Sequence, residues 1–214
     1  MTIVSILLFC ILGCKNKNNE FNKILSNRLD SMHSEQNLCQ YEISKSDEIF
    51  GQDSKESATL RKKADEIDSL HKEEVKEMIE QYGWLGTDKV GPDESTMAFI
   101  FVQHSDPVTH KRFLPLLRDA VKNGTAQPCD LALLEDRILV EDCKKQIYGS
   151  QMAIDSETNI YYVWPTEDPD NIDKRRMKVG LMPMSDYVKV WDIEWNLKQY
   201  KKDLPRLMLK NCVN

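Results

Sequence analysis

The sequence predicts a mainly helical α+β fold, a helical domain carrying one small antiparallel β-hairpin. Three observations carry this expectation. Apolar residues recur at three-and-four spacing through most of the chain, the period of a helix with one buried face. Pro92, Pro107 and Pro128 stand where such runs begin, and Gly83 and Asn123-Gly124 stand where they end. Only between residues 146 and 164 does the period shorten towards two.

Residues 20–37 read as a polar helix, and Leu38 to Asp53 as an irregular stretch. Ser54 or Ser57 then caps a long amphipathic helix whose stripe is Leu60, Ala64, Ile67, His71, Val75, Met78 and Tyr82. His71 lies within that stripe and is expected to be a hydrogen-bonded packing histidine. Gly91-Pro92-Asp93-Glu94 starts a helix through Met97 to Val102, which is apolar on every side and therefore expected to be buried, with His104 near or inside the core. Asp106-Pro107 restarts the chain as a helix with Phe113, Leu114, Leu117 and Val121 on its core side. Pro128-Cys129-Asp130 opens a fourth helix through Leu131, Leu134, Ile138 and Leu139. Gln146 to Ile154 and Asn159 to Trp164 read as two strands around the polar turn Asp155 to Thr158. Thr166 to Asp173 is an acidic loop, and Ser185 caps a last helix with Val188, Trp191 and Trp195.

At the N-terminus, Ile3 to Leu12 is an uncharged apolar run. It is half the length of about 20 residues that a membrane-spanning helix needs, and it fits the centre of a secretory signal. Ile11-Leu12-Gly13-Cys14 resembles the bacterial lipobox. The resemblance implies cleavage after Gly13, lipidation of Cys14, and a lipid bilayer as partner. Each buried methylene contributes about 0.8 kcal/mol, so two or more acyl chains hold stably. Lys15 rather than Asp follows Cys14, which points to the outer membrane of a Gram-negative envelope. The expected organisation is a signal peptide over 1–13, a tether and helical extension over 14–54, and a globular helical domain over 55–214 with its hairpin near 146–164.

Composition narrows the function. The formal net charge of −6 argues against general nucleic-acid binding, which rests on neutralising phosphates. With Cys10 and Cys14 set aside, Cys39, Cys129, Cys143 and Cys212 allow three disulfide pairings in an oxidising compartment. Cys129 with Cys143 meets a geometric objection, since a helix over 129–141 separates its ends by roughly 20 Å. No cysteine or histidine spacing reads as a zinc site. His104 and His110 stand six apart across a proline without sharing a helix face, so no metal and no cofactor is indicated.

Several polar groups sit oddly for scaffolding. Gln103-His104-Ser105-Asp106, Leu133-Leu134-Glu135-Asp136-Arg137, Gln146-Ile147-Tyr148-Gly149-Ser150-Gln151, and Asp168 through Arg175-Arg176 to Val179-Gly180-Leu181 resemble successive blocks of domain-of-unknown-function family 6624. The resemblance covers roughly residues 75–200 and leaves 15–70 outside. It implies a bacterial, exported protein and brings no activity with it. The chemistry of the blocks allows a site. His104 is the natural proton carrier, because histidine alone titrates near neutrality without help. Asp136 is placed to orient it, and the pair are the candidate catalytic residues. Arg137, Arg175 and Arg176 are candidates for holding a carboxylate or phosphate through paired N–H groups. Gln146, Tyr148 and Gln151 are candidates for hydrogen-bonding a polar ligand. The ligand expected is small and anionic or sugar-like, with hydrolysis open to a site of this kind. No nucleophile elbow, phosphate loop or glycine fingerprint is present.

Two readings stand against this. In one, the polar blocks form an internal network that fixes hairpin against helices, while the helix over 55–82 docks a protein partner. In the other, the chain is a secreted toxin or immunity partner. His33 and His110 are expected on the surface. A site requires His104, Arg137, Gln146 and Gln151 to converge on an open cleft; a structural network requires them buried and mutually paired.

Overall fold

Between Cys14 and Phe50 the sequence offers neither proline nor glycine, and the backbone there is one uninterrupted helix. In this computed structural model residues 4–155 and 158–211 are described, with side chains over 22–208. The lipobox side chains, Cys14 among them, and Cys212 lie outside the described residues. Eight α-helices and one two-stranded hairpin account for the regular structure among the described residues. The chain divides into two compact units, Met1–Val102 and Gln103–Asn214.

In the first unit, α1 (Val4–Phe50) packs on α2 (Lys55–Tyr82). Partners ascend along α1 as they descend along α2, as in Arg28 with Glu74, Gln36 with Asp68 and Asp47 with Arg61, so the two helices are antiparallel. The stretch 38–53 expected to be irregular is helical as far as Phe50. The seam explains it: Leu25, Leu29, Met32, Cys39 and Ser46 are buried at intervals of three, four or seven, with polar Gln36 and Ser46 breaking the apolar pattern but not the spacing. Ser54 caps α2 by accepting from the Ser57 amide, and Gly83 (φ 73°) ends it. His71 is a packing histidine, with Nε2 3.0 Å from Glu35 Oε2 and its ring edge-on to Phe101. In α3 (Pro92–Gln103), Ala98, Phe99, Phe101 and Val102 are buried while Ile100 is exposed, so this helix is covered on one side rather than all round.

In the second unit, Asp106 caps α4 (Pro107–Lys122) by accepting from the Val108 and Thr109 amides, and α4 packs on α5 (Pro128–Glu141). His110, expected on the surface, is buried on α4 with Nδ1 2.7 Å from Glu141 Oε1. β1 (Met152–Ile154) pairs antiparallel with β2 (Tyr161–Val163) in the register Met152 to Val163. The hairpin is shorter than the sequence suggests: Gln146 and Gln151 still pair with the backbone of residues 164–167, but between them Ile147, Tyr148 and Ser150 pair with side chains instead of with a strand. A 3₁₀ turn at Pro169–Asn171 leads into α6 (Ile172–Lys178). The helix expected from Ser185 is split into α7 (Met184–Tyr187) and a 3₁₀ turn at Val188–Trp191, stopped by Asp192 in the left-handed region (φ 55°). The chain then forms α8 (Leu197–Asn211), which the apolar spacing does not single out. Val163, Ile172, Met184, Val188, Tyr200 and Leu207 make the core here. Tyr200 fixes α8 by donating to the Trp164 carbonyl and accepting from the Thr166 amide, and burial pushes its phenol up to about 12. Cys39 and Cys129 are free thiols, and no described helix is long and apolar enough to cross a membrane.

Buried polar groups lead to two expected outcomes. Ser46 Oγ and Ser57 Oγ share a hydrogen bond of 2.8 Å inside the helical seam. Either single change to alanine strands the other hydroxyl and is expected to cost about 1–2 kcal/mol, while the double change costs less than the two together; urea unfolding of the three variants measures this. Asp130 is buried in the first turn of α5, and burial raises its carboxyl from 3.8 to about 6. The folded state therefore keeps a proton that the unfolded state sheds between those values. Stability from this group is full below pH 3.8 and lost as pH rises to 6, by up to about 3 kcal/mol. Asp130→Asn should flatten that slope and raise the melting temperature at pH 7.5 but not at pH 3.5.

Candidate functional site

The site is built around a loop, residues 146–151, whose ends pair with the backbone of residues 164–167 and whose inner amides and carbonyls are met largely by side chains. Asp136 on α5 is fully buried beneath it. Its Oδ1 accepts from the amides of Ile147 (2.7 Å) and Tyr148 (3.0 Å), and its Oδ2 from the Ser150 amide (3.0 Å) and hydroxyl (2.9 Å). Burial pushes the Asp136 carboxyl up, and these donors pull it back. The carbonyls are met from the other side. Arg175 Nε donates to Ile147 O, Arg176 Nη1 to Tyr148 O, and the Tyr187 hydroxyl to Ser150 O. Gln146 closes the loop on itself: its Oε1 accepts from the Gln151 amide, and its Nε2 donates to Gln151 O and Trp164 O. Gly149 takes φ 69°, and a Cβ there would come within 2.7 Å of Ile172 Cδ1 and 3.0 Å of Met184 Sδ. The loop is thus pressed against the core at the one residue without a side chain.

This arrangement sorts the candidate residues. Asp136 faces the loop amides, and the hydrogen bonds of its carboxylate are made to the loop rather than to His104. Gln146 is fully buried and used by the backbone. Arg175 spends its remaining donors on Asp168 O and Glu167 O. Arg176 is buried, donates also to Met182 O, and lies 4.7 Å over the Tyr187 ring; burial lowers its pKa and raises that of Tyr187. Tyr148 is half-buried, with its phenol pushed up by burial and by Glu135 and Asp136.

His104, Arg137 and Gln151 do come together. They line a cavity of about 640 Å³ with Gln103, Leu133, Ser150, the β1 residues, Tyr161, Tyr187 and Trp191. That volume is within the range of small-molecule sites. His104 stands exposed in the turn after α3 rather than near the core. Gln151 is mostly buried and donates to Ser150 Oγ at 3.0 Å. Arg137 differs from the other two arginines. Its Nε is buried without a hydrogen-bond partner, and Glu135 beside it is taken by Arg118. Gln103 is 8% exposed; its Nε2 reaches Leu133 O at 3.5 Å while its Oε1 has no partner. A buried group left unpaired costs about 1–3 kcal/mol, so the cavity holds two such costs on its wall. Tyr161 and Trp191 pack at 4.9 Å to form an aromatic side. Sequence reasoning singled out Gln103 only as His104's neighbour and missed Tyr161, Tyr187 and Trp191 as lining residues; nothing in their spacing separates them from ordinary packing aromatics. No described group of His, Cys, Asp and Glu is arranged to hold a metal ion.

The chain matches the family of unknown function DUF6624 over residues 31–200. It belongs to that family. The match extends further towards the N-terminus than the blocks that carry the resemblance in the sequence, taking in the last 20 residues of α1 and all of α2. No curated protein and no solved structure matches the chain. The family blocks therefore meet at one place in the second unit, where one residue set builds the loop and another faces the cavity.

The division has a measurable consequence. Asp136→Asn removes a charge that four donors share and should destabilise the protein by about 3 kcal/mol in chemical denaturation. Arg137→Gln should cost less than about 1 kcal/mol. Equal losses from the two changes would contradict the assignment of Asp136 to the fold and Arg137 to the cavity.

Proposed function

We propose that this chain is a lipid-anchored envelope protein whose second unit binds a small polar ligand, anionic or sugar-like, in the cavity beside His104. The observation that carries the reading is the convergence of His104, Arg137 and Gln151 on one open cavity. Its unsatisfied Arg137 Nε and Gln103 Oε1 support it, because ligands complete hydrogen bonds that a fold leaves open. His104 at the rim is the group able to carry a proton near neutrality, and with Asp136 committed elsewhere it would act without a carboxylate from that residue. The anchor rests on the lipobox resemblance at Ile11 to Cys14.

A second reading, docking of a protein partner, is favoured by one observation in the first unit. Exposed Tyr41, Ile49 and Phe50 border a groove of about 820 Å³ at the end of the α1–α2 hairpin, with Leu60 within it.

Two measurements test the proposal. Metabolic labelling with palmitate should mark the wild-type chain in the membrane fraction, and Cys14→Ser should abolish the label and release the protein. In thermal denaturation against a panel of sugars, sugar acids, amino acids and carboxylates, at least one compound should raise the melting temperature by about 2 °C or more. His104→Ala or Arg137→Gln should remove that rise. A panel without any such compound counts against the ligand reading, and an unlabelled wild type counts against the anchor.

A further inference from the structure

The cavity's wall specifies its ligand more narrowly than polarity alone. Resting on the ligand-binding reading of this cavity, we propose that the ligand is an acidic sugar, a pyranose ring carrying one carboxylate.

The charge on the wall sets the first requirement. Among the described residues, Arg137 is the one Lys or Arg that lines the cavity, and no Asp or Glu lines it. Its acidic neighbours along α5 are hydrogen-bonded to other groups: Glu135 to Arg118, Asp136 to the loop amides, and Glu141, one turn on, to His110. In a protein of net charge −6 this is a locally positive pocket with a single fixed cation. A guanidinium fork matches a planar carboxylate. A phosphate dianion calls for further cations or a row of free amides. The amides of the lining residues Ser150 and Gln151 are already taken by Asp136 and Gln146.

The second requirement comes from Gln103. With its Nε2 towards Leu133 O, its buried Oε1 is an acceptor without a donor, on a residue that lines the cavity. A hydroxyl group supplies one; a simple carboxylate such as acetate has none. Gln151 and Ser150, joined through Nε2 and Oγ, add polar surface on the loop side of the cavity. The third requirement is the tilted pair Tyr161 and Trp191, centroids 4.9 Å apart, on the hairpin side. Broad aromatic faces with polar tips suit the flat C–H face of a pyranose, whose edge presents hydroxyls. One carboxylate, hydroxyl donors and a flat apolar face together describe a hexuronate or a related sugar acid. The cavity volume leaves room for a neighbouring sugar unit.

The test uses the full chain in detergent and four probes: glucuronate, glucose, acetate and inorganic phosphate. Binding is measured by calorimetry, with saturation-transfer NMR reporting which ligand protons contact the protein. Glucuronate should bind at least tenfold tighter than each of the other three, with saturation strongest on its ring protons. Arg137→Gln should bring glucuronate down to the level of glucose while leaving glucose unchanged, with an unaltered unfolding midpoint showing that the variant is folded. Trp191→Leu should weaken glucuronate and glucose alike. Glucose binding as tightly as glucuronate, or phosphate binding tighter, would overturn the acidic-sugar assignment and leave the polar-ligand reading intact. Glucuronate affinity that survives Arg137→Gln would overturn it too. Failure of all four probes, with no change in the tryptophan indole signals, would overturn both.

Discussion

Everything at the candidate site depends on the buried carboxylate of Asp136. A loop whose four inner residues, 147–150, have no strand partner would normally leave amides and carbonyls stranded in the interior, each costing about 1–3 kcal/mol. Here one side chain replaces a strand edge: three amides and one hydroxyl converge on Asp136. Once those amides are fixed, the carbonyls of Ile147, Tyr148 and Ser150 point the opposite way, and Arg175, Arg176 and Tyr187 meet them. Gly149 is the hinge of this geometry, since only its bare Cα fits against Ile172 and Met184. The loop is held from α5 on one side and from α6 and α7 on the other. It is rigid for the same reason that it is irregular.

A rigid loop matters because it forms one wall of the cavity. Ser150 and Gln151 face the cavity with their backbones already fixed, so ordering them would cost a ligand little. The three arginines show the distinction between polar groups used by the fold and polar groups left over. Arg175 and Arg176 make five hydrogen bonds to backbone carbonyls between them, whereas Arg137 has a buried Nε with no acceptor. Burial alone does not separate them, since Arg176 is the most buried of the three. The accounting of partners does.

The same accounting explains what the sequence could and could not disclose. Helices α2 to α5 were legible because their caps and stripes are local features: Ser54, Gly83, Pro92, Asp106 and Pro128 stand at or beside their ends. The continuation of α1 through residue 50 was not, because Gln36 and Ser46 occupy seam positions and hide the three-and-four period from a hydrophobicity reading. Residues 146–151 look strand-like, but the partners of the inner ones are side chains 11 to 37 residues away, and no local pattern encodes that. His110 carries no local sign that Glu141 waits 31 residues on to pair with it. His104 was singled out for its place at the end of an apolar helix; the backbone leaves that helix at Gln103, and so the histidine emerges at the rim rather than in the core. Gln103, Tyr161 and Trp191 could be recognised as cavity residues only after the chain had brought them together.

The adjacency of Asp136 and Arg137 is the point where fold and site are joined most closely. Successive residues on a helix project about 100° apart, so a neighbouring pair of opposite charges need not pair with each other. One turns into the loop and the other towards the cavity. An anion drawn to Arg137 would sit close to the Asp136 carboxylate, and in a low-dielectric interior that proximity would repel it. The four donors around Asp136 point their positive ends at its charge, which screens it from the cavity side as a hydration shell would. The network that folds the loop therefore also lessens an electrostatic obstacle to an anion beside Arg137. Loosening it would weaken binding without any contact to the ligand being lost.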